Sequence, residues 1–200
     1  MGFILDLLYP ARCVVCGATP APLCSLCQAP PQVTNVRLDD FTLSFARDLD
    51  QDSLAIIRSF KDSKLVAISG YLTFLLDAAI AVQPEFDAFA LPPRNPSNFR
   101  LRGFHPIQYL VDRSAQLAGR QQVRPSQVRS IRDQRLLSRV ERQGNLKQAL
   151  AFPSGAARLL LVDDVVTSGA TLREMARSAR SSGFDVVGSC AIAYSSSGRF

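Results

Sequence analysis

No apolar run in the 200-residue chain approaches the ~20 residues that cross a bilayer, so no membrane-spanning helix is expected. The apolar start, Met1–Tyr9, lacks both a basic leading region and a small-residue cleavage site. The expectation is therefore a chain without a secretory leader, cytoplasmic, opening with an amphipathic helix that packs on the domain. Charged residues make up only 20% against 47% hydrophobic, which argues against wholesale disorder and for a substantial core. Internal repeats and low-complexity segments are absent. Histidine is nearly so: His105 stands alone beside Pro106 and reads as a loop residue rather than a catalytic base.

Lysine is missing from the stretch between Arg94 and Arg142, which holds eleven arginines opposed only by Asp112, Asp133 and Glu141. That segment carries +8, more than the +6 of the whole chain. Arginine forks match phosphate oxygens in pairs, so the implied partner is a polyanion: a nucleotide, a pyrophosphate or a nucleic-acid backbone. A solvated basic face is the plainer alternative.

What the chain does have is a pattern of cysteines. Four of the five form Cys13-x2-Cys16 and Cys24-x2-Cys27, while Cys190 lies in an apolar stretch and reads as core. Two such turns supply the tetrahedral thiolates that Zn2+ prefers, with Gly17 suited to the tight turn under the metal. Four cysteines leave no open coordination position, so the site reads as structural, with reduced unliganded thiols as the alternative. Residues 11–32 contain Arg12 as the one basic group and no aromatic, too little for this knuckle alone to grip DNA.

Prolines 10, 20, 22, 30 and 31 keep the knuckle irregular, and a break near Pro30–Val36 divides residues 1–35 from a larger domain over 36–200. Helical spacing appears over 50–60 and 66–82, and helices are expected at Pro106–Gly119 and Thr171–Ser182, the last ending at Gly183. Strands are expected at Phe86–Leu91, Val128–Arg132, Leu159–Val162 and Val186–Ala193. Strands alternating with helices after residue 85 indicate an α/β fold with a parallel sheet flanked by helices.

The segment Leu159–Leu172 carries the strongest functional signal. A strand runs into Asp163 and Asp164, then a turn of small residues, then a helix. Thr167, Ser168, Gly169, Ala170 and Thr171 offer hydroxyls and backbone N–H groups around a helix N-terminus, whose dipole favours an anion. Carboxylates repel phosphate, so a ligand held here must also present hydroxyls or a metal. A phosphorylated ribose does: phosphate in the turn, 2′- and 3′-hydroxyls against the aspartates. A Mg2+ site or a plain helix cap are the other readings of the same residues.

This stretch resembles the 5-phosphoribosyl-1-pyrophosphate (PRPP) signature of type I phosphoribosyltransferases. Two more segments narrow the likeness: Arg100-Leu-Arg102-Gly103-Phe104 after Pro92-Pro93, and Gln134-x2-Leu137-Ser138 with Glu141-Arg142-x2-Asn145. With the cysteine pairs in front, their order resembles the ComF family (competence protein F, amidophosphoribosyltransferase-like). The chain departs from that family at His105-Pro106, where Asn-Gln is usual, and at Phe60-Lys61-Asp62, where Lys-Tyr-x-Gly is usual. The resemblance implies a type I phosphoribosyltransferase-like domain behind a zinc knuckle. It implies PRPP with Mg2+ as ligand and Asp163 and Asp164 as the central acids. Arg100, Arg102, Arg139 and Arg142 would neutralise pyrophosphate. Ser138-x2-Glu141 forms a capping box, so Arg139 and Arg142 would share one face of a short helix. The family's link to natural competence implies an alternative role: an accessory of DNA uptake that binds single-stranded DNA or a competence helicase, its PRPP site regulatory or vestigial.

Overall fold

The computed structural model describes residues 11–94, 96–128 and 148–195. The helix expected over residues 1–9, the Gln134–Asn145 motif with Arg139 and Arg142, and most of the strand expected at Val128–Arg132 lie outside the described residues.

The fold is mixed α/β. A six-stranded sheet runs in the order β1-β2-β8-β7-β3-β4, built from Thr34–Leu38 (β1), Phe41–Asp48 (β2), Ala88–Ala90 (β3), Gln121–Val123 (β4), Arg158–Val166 (β7) and Asp185–Tyr194 (β8). Only β1 runs antiparallel, as the edge partner of β2; every other pairing is parallel. Ser126–Gln127 (β5) and Leu150–Ala151 (β6) form a separate two-stranded ladder. The helices are Gln51–Lys61 (α1), Ser69–Ala81 (α2), Pro96–Arg102 (α3), Pro106–Val111 (α4) and Ala170–Ser181 (α5).

Successive residues of β7 explain the layering. Leu160 and Val162 join a core with Ile57 and Phe60 of α1 and Leu72 and Leu76 of α2, and Cys190 of β8 belongs to it. Leu159 and Leu161 join the opposite core with Leu172, Met175 and Ala179 of α5. A strand covered on both faces has no polar side to show, which is why this run is continuously apolar. Each such leucine adds about 2–3 kcal/mol of burial.

Several elements differ from expectation. The edge hairpin β1–β2 was not foreseen. It closes through Asp39 and Asp40, with Asp39 in the left-handed region at φ 56°, a conformation that aspartate tolerates. Strand β7 continues beyond Val162 to Val166, so both aspartates lie within the strand, with Asp163 opposite Ala191 of β8. Helix α4 stops at Val111 instead of reaching Gly119. The carboxylate of Asp77 on α2 accepts the hydroxyl of Ser114 and, at 3.1 Å, the N–H of Ala115. These bonds to a neighbouring helix compete with the next helical turn and draw the chain out of it. Arg100 and Arg102 lie at the end of a short helix that follows β3 and the Pro92-Pro93 stretch.

The four-cysteine segment packs on the sheet. Cys13 and Leu23 belong to the same core as α1 and α2, and the Tyr71 hydroxyl donates to the carbonyl of Ala29 at 2.7 Å. No helix among the described residues is long and apolar enough to cross a membrane.

Candidate functional site

At the C-terminal edge of the parallel sheet β7 hands over to α5, the place where open α/β sheets bind ligands. A cavity of about 90 Å³ opens there, lined by Asp163, Thr167, Ser168, Gly169, Ala170 and Thr171 among others. These are the residues singled out in the sequence as the phosphate turn, and one cavity gathers them together with Asp163. Gly169 caps α5 with φ 72°, a left-handed backbone that costs a side-chain-bearing residue about 1–2 kcal/mol. The first N–H groups of α5 have no partner within the helix, and that of Ala170 donates to the Ser168 hydroxyl at 3.3 Å.

Asp163 and Asp164 are both half-buried but differently held. The carboxylate of Asp163 accepts the backbone N–H of Asp164 at 2.8 Å. Asp164 pairs with Lys61, the last residue of α1, at 2.7 Å. Burial, then the charge of Asp164, pushes the Asp163 carboxyl up to about 7, against the pull of Lys61.

Lys61 arrives through local chemistry at the other end of its helix. Asp50 and Ser53 form a reciprocal cap at 2.8 and 2.9 Å that starts α1 at Gln51. Its last turn is then pinned by aromatic packing. The Phe60 ring meets Phe104 at 5.4 Å and Tyr109 at 5.8 Å, and Phe104 meets Tyr109 at 6.0 Å. The same seam carries an ion pair from Arg102 to Asp62 at 2.8 Å. It therefore draws Lys61 and His105, each the neighbour of one of these rings, to the same edge of the site.

His105 is the N-cap of α4 and half-buried. Burial lowers its basicity; Arg94, Arg124 and Lys61 lower it further, while Asp164 opposes them. Four charges thus act on His105, from residues on or just beyond β3, β4 and β7, which are neighbours in the sheet, and from the end of α1. Sequence reading named Lys61 and His105 only as departures from the family pattern, at positions where the resemblance puts the pyrophosphate and the acceptor, and gave them no role; it did not single out Arg94 and Arg124. Of the arginines expected at the site, Arg100 is exposed on α3 and Arg102 is committed to Asp62. Arg139 and Arg142 are outside the described residues.

Cysteines 13, 16, 24 and 27 converge, with all four sulfurs within 4.8 Å of one another and Cys16 to Cys24 at 3.7 Å. Zn–S bonds of ~2.3 Å in a tetrahedron set sulfurs about 3.8 Å apart, so the cluster fits a metal of that kind. Burial opposes ionisation of Cys13, but the N–H groups of Cys16, Cys24 and Val15 outweigh it and bring the thiol down to about 6. The cluster could therefore hold a metal ion.

No family model and no curated protein matches the sequence. Among solved structures, the chain is similar to adenine phosphoribosyltransferase from Thermoanaerobacter pseudethanolicus ATCC 33223, at 14% identity and a TM-score of 0.38. The similarity covers 81% of this chain and 95% of that one. A likeness at that level decides nothing about function, and the site stands on its own geometry.

Proposed function

We propose that this protein binds PRPP with Mg2+ at the end of β7, on a type I phosphoribosyltransferase-like domain spanning residues 36–200, and transfers its phosphoribosyl group. The observation that carries the reading is the shared cavity of Asp163 and the Thr167–Thr171 turn. Amides and hydroxyls at a helix N-terminus suit the 5′-phosphate, and the adjacent acids suit a vicinal diol. A carboxyl raised to about 7 also carries less charge at neutral pH, which weakens its repulsion of the phosphate.

In the reaction a nitrogen nucleophile forms a bond to C1′ as the C1′–oxygen bond to pyrophosphate breaks. Mg2+ bound together with PRPP would supply positive charge that the departing pyrophosphate needs. The protein's share is positioning and electrostatic stabilisation rather than strong base catalysis. Asp163 and Asp164 hold the ribose hydroxyls. Lys61 pairs with Asp164, Arg94 and Arg124 act on His105 beside it, and these cations together with Arg100, Arg102, Arg139 and Arg142 would neutralise the pyrophosphate. Residues 1–35 form the zinc-binding unit of the ComF-like arrangement, with Cys13, Cys16, Cys24 and Cys27 as ligands. Free thiols of this kind fit a reducing, cytoplasmic setting.

A DNA-uptake role draws less support. A backbone-tracking surface needs arginines free to meet phosphates, yet Arg102 pairs with Asp62, Arg113 stacks on Tyr109 and Arg120 stacks on Phe86.

Isothermal calorimetry with PRPP and Mg2+ tests the reading. Asp163→Asn combined with Asp164→Asn is expected to abolish PRPP binding while leaving inorganic phosphate binding in place. Unchanged PRPP affinity in that variant refutes the proposal.

A further inference from the structure

We infer that Arg173 is a positioning residue for the phosphate turn, an inference that rests on the reading of that turn as an anion site. Arg173 sits on the first turn of α5 and makes two bonds in different directions. Nη1 donates to the backbone carbonyl of Ser168 at 2.5 Å, and Nε donates to the carboxylate of Asp39 at 2.9 Å. Asp39 belongs to the turn of the β1–β2 hairpin, at the far edge strand of the sheet in sequence terms. The hairpin also closes over the turn sterically. A Cβ built on Gly169 would lie 2.9 Å from Nη1 of Arg173 and 3.2 Å from Cδ1 of Leu38.

The consequence follows from peptide geometry. In a planar trans peptide the carbonyl and the N–H point in opposite directions. Fixing the Ser168 carbonyl on the guanidinium therefore directs the Gly169 N–H away from Arg173, and both residues of that peptide line the cavity. Gly169 is the one residue type whose backbone turns over at little cost. Without the clamp, the Ser168–Gly169 peptide is free to rotate and present its carbonyl oxygen to the anion. Arg173 thus supplies what the glycine's freedom removes: one fixed sense for the amide. A lysine offers a point charge rather than a fork and serves the carbonyl and Asp39 together less well.

A second contact on the same two elements serves as the control. Arg180, two turns further along α5, pairs with Asp40 of the same hairpin turn at 2.7 Å and has no bond to the phosphate turn among those described. Removing it takes an ion pair and the contact with Phe41 from the same hairpin but leaves the Ser168 carbonyl held.

The test titrates the full-length protein with inorganic phosphate, as a probe of the turn, and separately with PRPP and Mg2+. The Gly169 amide resonance and calorimetry are the readouts. Arg173→Gln is expected to weaken phosphate binding about tenfold, the weight of one charge-assisted hydrogen bond, and to diminish the ligand-induced shift of the Gly169 amide. Arg173→Lys is expected to recover part of the affinity, Asp39→Asn to fall between, and Arg180→Ala to bind as the parent does. Should Arg173→Gln prove unfolded by thermal melting, Arg173→Lys against Arg180→Ala carries the comparison. Equal affinity in the parent and in both Arg173 variants overturns the inference, as does equal weakening by Arg180→Ala. A parent that binds phosphate in an Arg173-dependent way but ignores PRPP upholds the clamp and removes the functional reading. A parent that binds neither removes both.

Discussion

Asp163 shows how one residue couples the site to the stability of the fold. Its carboxyl is raised to about 7 by burial first and by Asp164 second. In the unfolded chain the group titrates near 3.8, so the folded state binds its proton more tightly. Stability from this group is therefore full below pH ~4 and declines as pH rises toward 7, then levels off. Asp163→Asn keeps the oxygen that accepts the Asp164 N–H and removes the titration. The variant is expected to match the parent at pH 4 and exceed it at pH 8, read as urea midpoints. Equal midpoints at both pH values would show that the acid is not raised. Lys61→Met works in the opposite sense. It withdraws the cation that lowers Asp163 and leaves Asp164 unpaired, so it is expected to destabilise more at pH 8 than at pH 4. The aspartates were legible in the sequence because they are adjacent and follow an apolar strand. Lys61 and His105 were not, because each reaches the site through a neighbouring ring that packs across the fold, and no local pattern records that meeting.

Among the elements, α5 and β8 were legible nearly to the residue and β7 in its apolar half, since a fully apolar strand, a glycine stop and a second apolar strand are all local signals. Two failures have physical causes. The end of α4 is set by Asp77 on another helix, and propensity within Pro106–Gly119 knows nothing of it. The hairpin β1–β2 closes through two aspartates rather than the Asn-Gly or Asp-Gly pair that marks such turns. It is held in part from outside, by Arg173 and Arg180 of α5. The seam between α1 and the Phe104 segment is likewise long-range, and it yields a prediction. Phe104 is partly buried against Phe60 and Tyr109. Phe104→Ala is expected to cost about 2–3 kcal/mol of unfolding free energy, below the full core value because the ring is not fully enclosed. It should also weaken PRPP binding, because Lys61 and His105 lose their common support. A loss under about 0.5 kcal/mol by urea denaturation would mean the rings do not hold the seam.

At the scale of the molecule, the sheet separates two duties. The cysteine cluster packs on the face that carries α1 and α2, through Cys13 and Leu23 and the Tyr71–Ala29 bond. The phosphate turn opens onto α5, whose buried side belongs to the core on the other face. A metal at the cysteines therefore bears on the fold more than on anion binding. Releasing it is expected to free the knuckle from the sheet and expose Leu23, a loss of roughly 1.5–3 kcal/mol, together with the part-buried Tyr71–Ala29 hydrogen bond of about 1 kcal/mol. For a chain of this length that corresponds to a fall of about 10 °C in the thermal midpoint. Treatment with a chelator is expected to release about one equivalent of Zn2+, read by a colorimetric metal indicator, and to lower the midpoint by that amount. Affinity for inorganic phosphate, measured at a temperature where the stripped protein is still folded, should stay within about twofold of the metal-loaded value. If stripping the metal abolishes phosphate binding while the sheet remains intact by circular dichroism, the two faces are not independent. The knuckle would then have to be counted as part of the site itself.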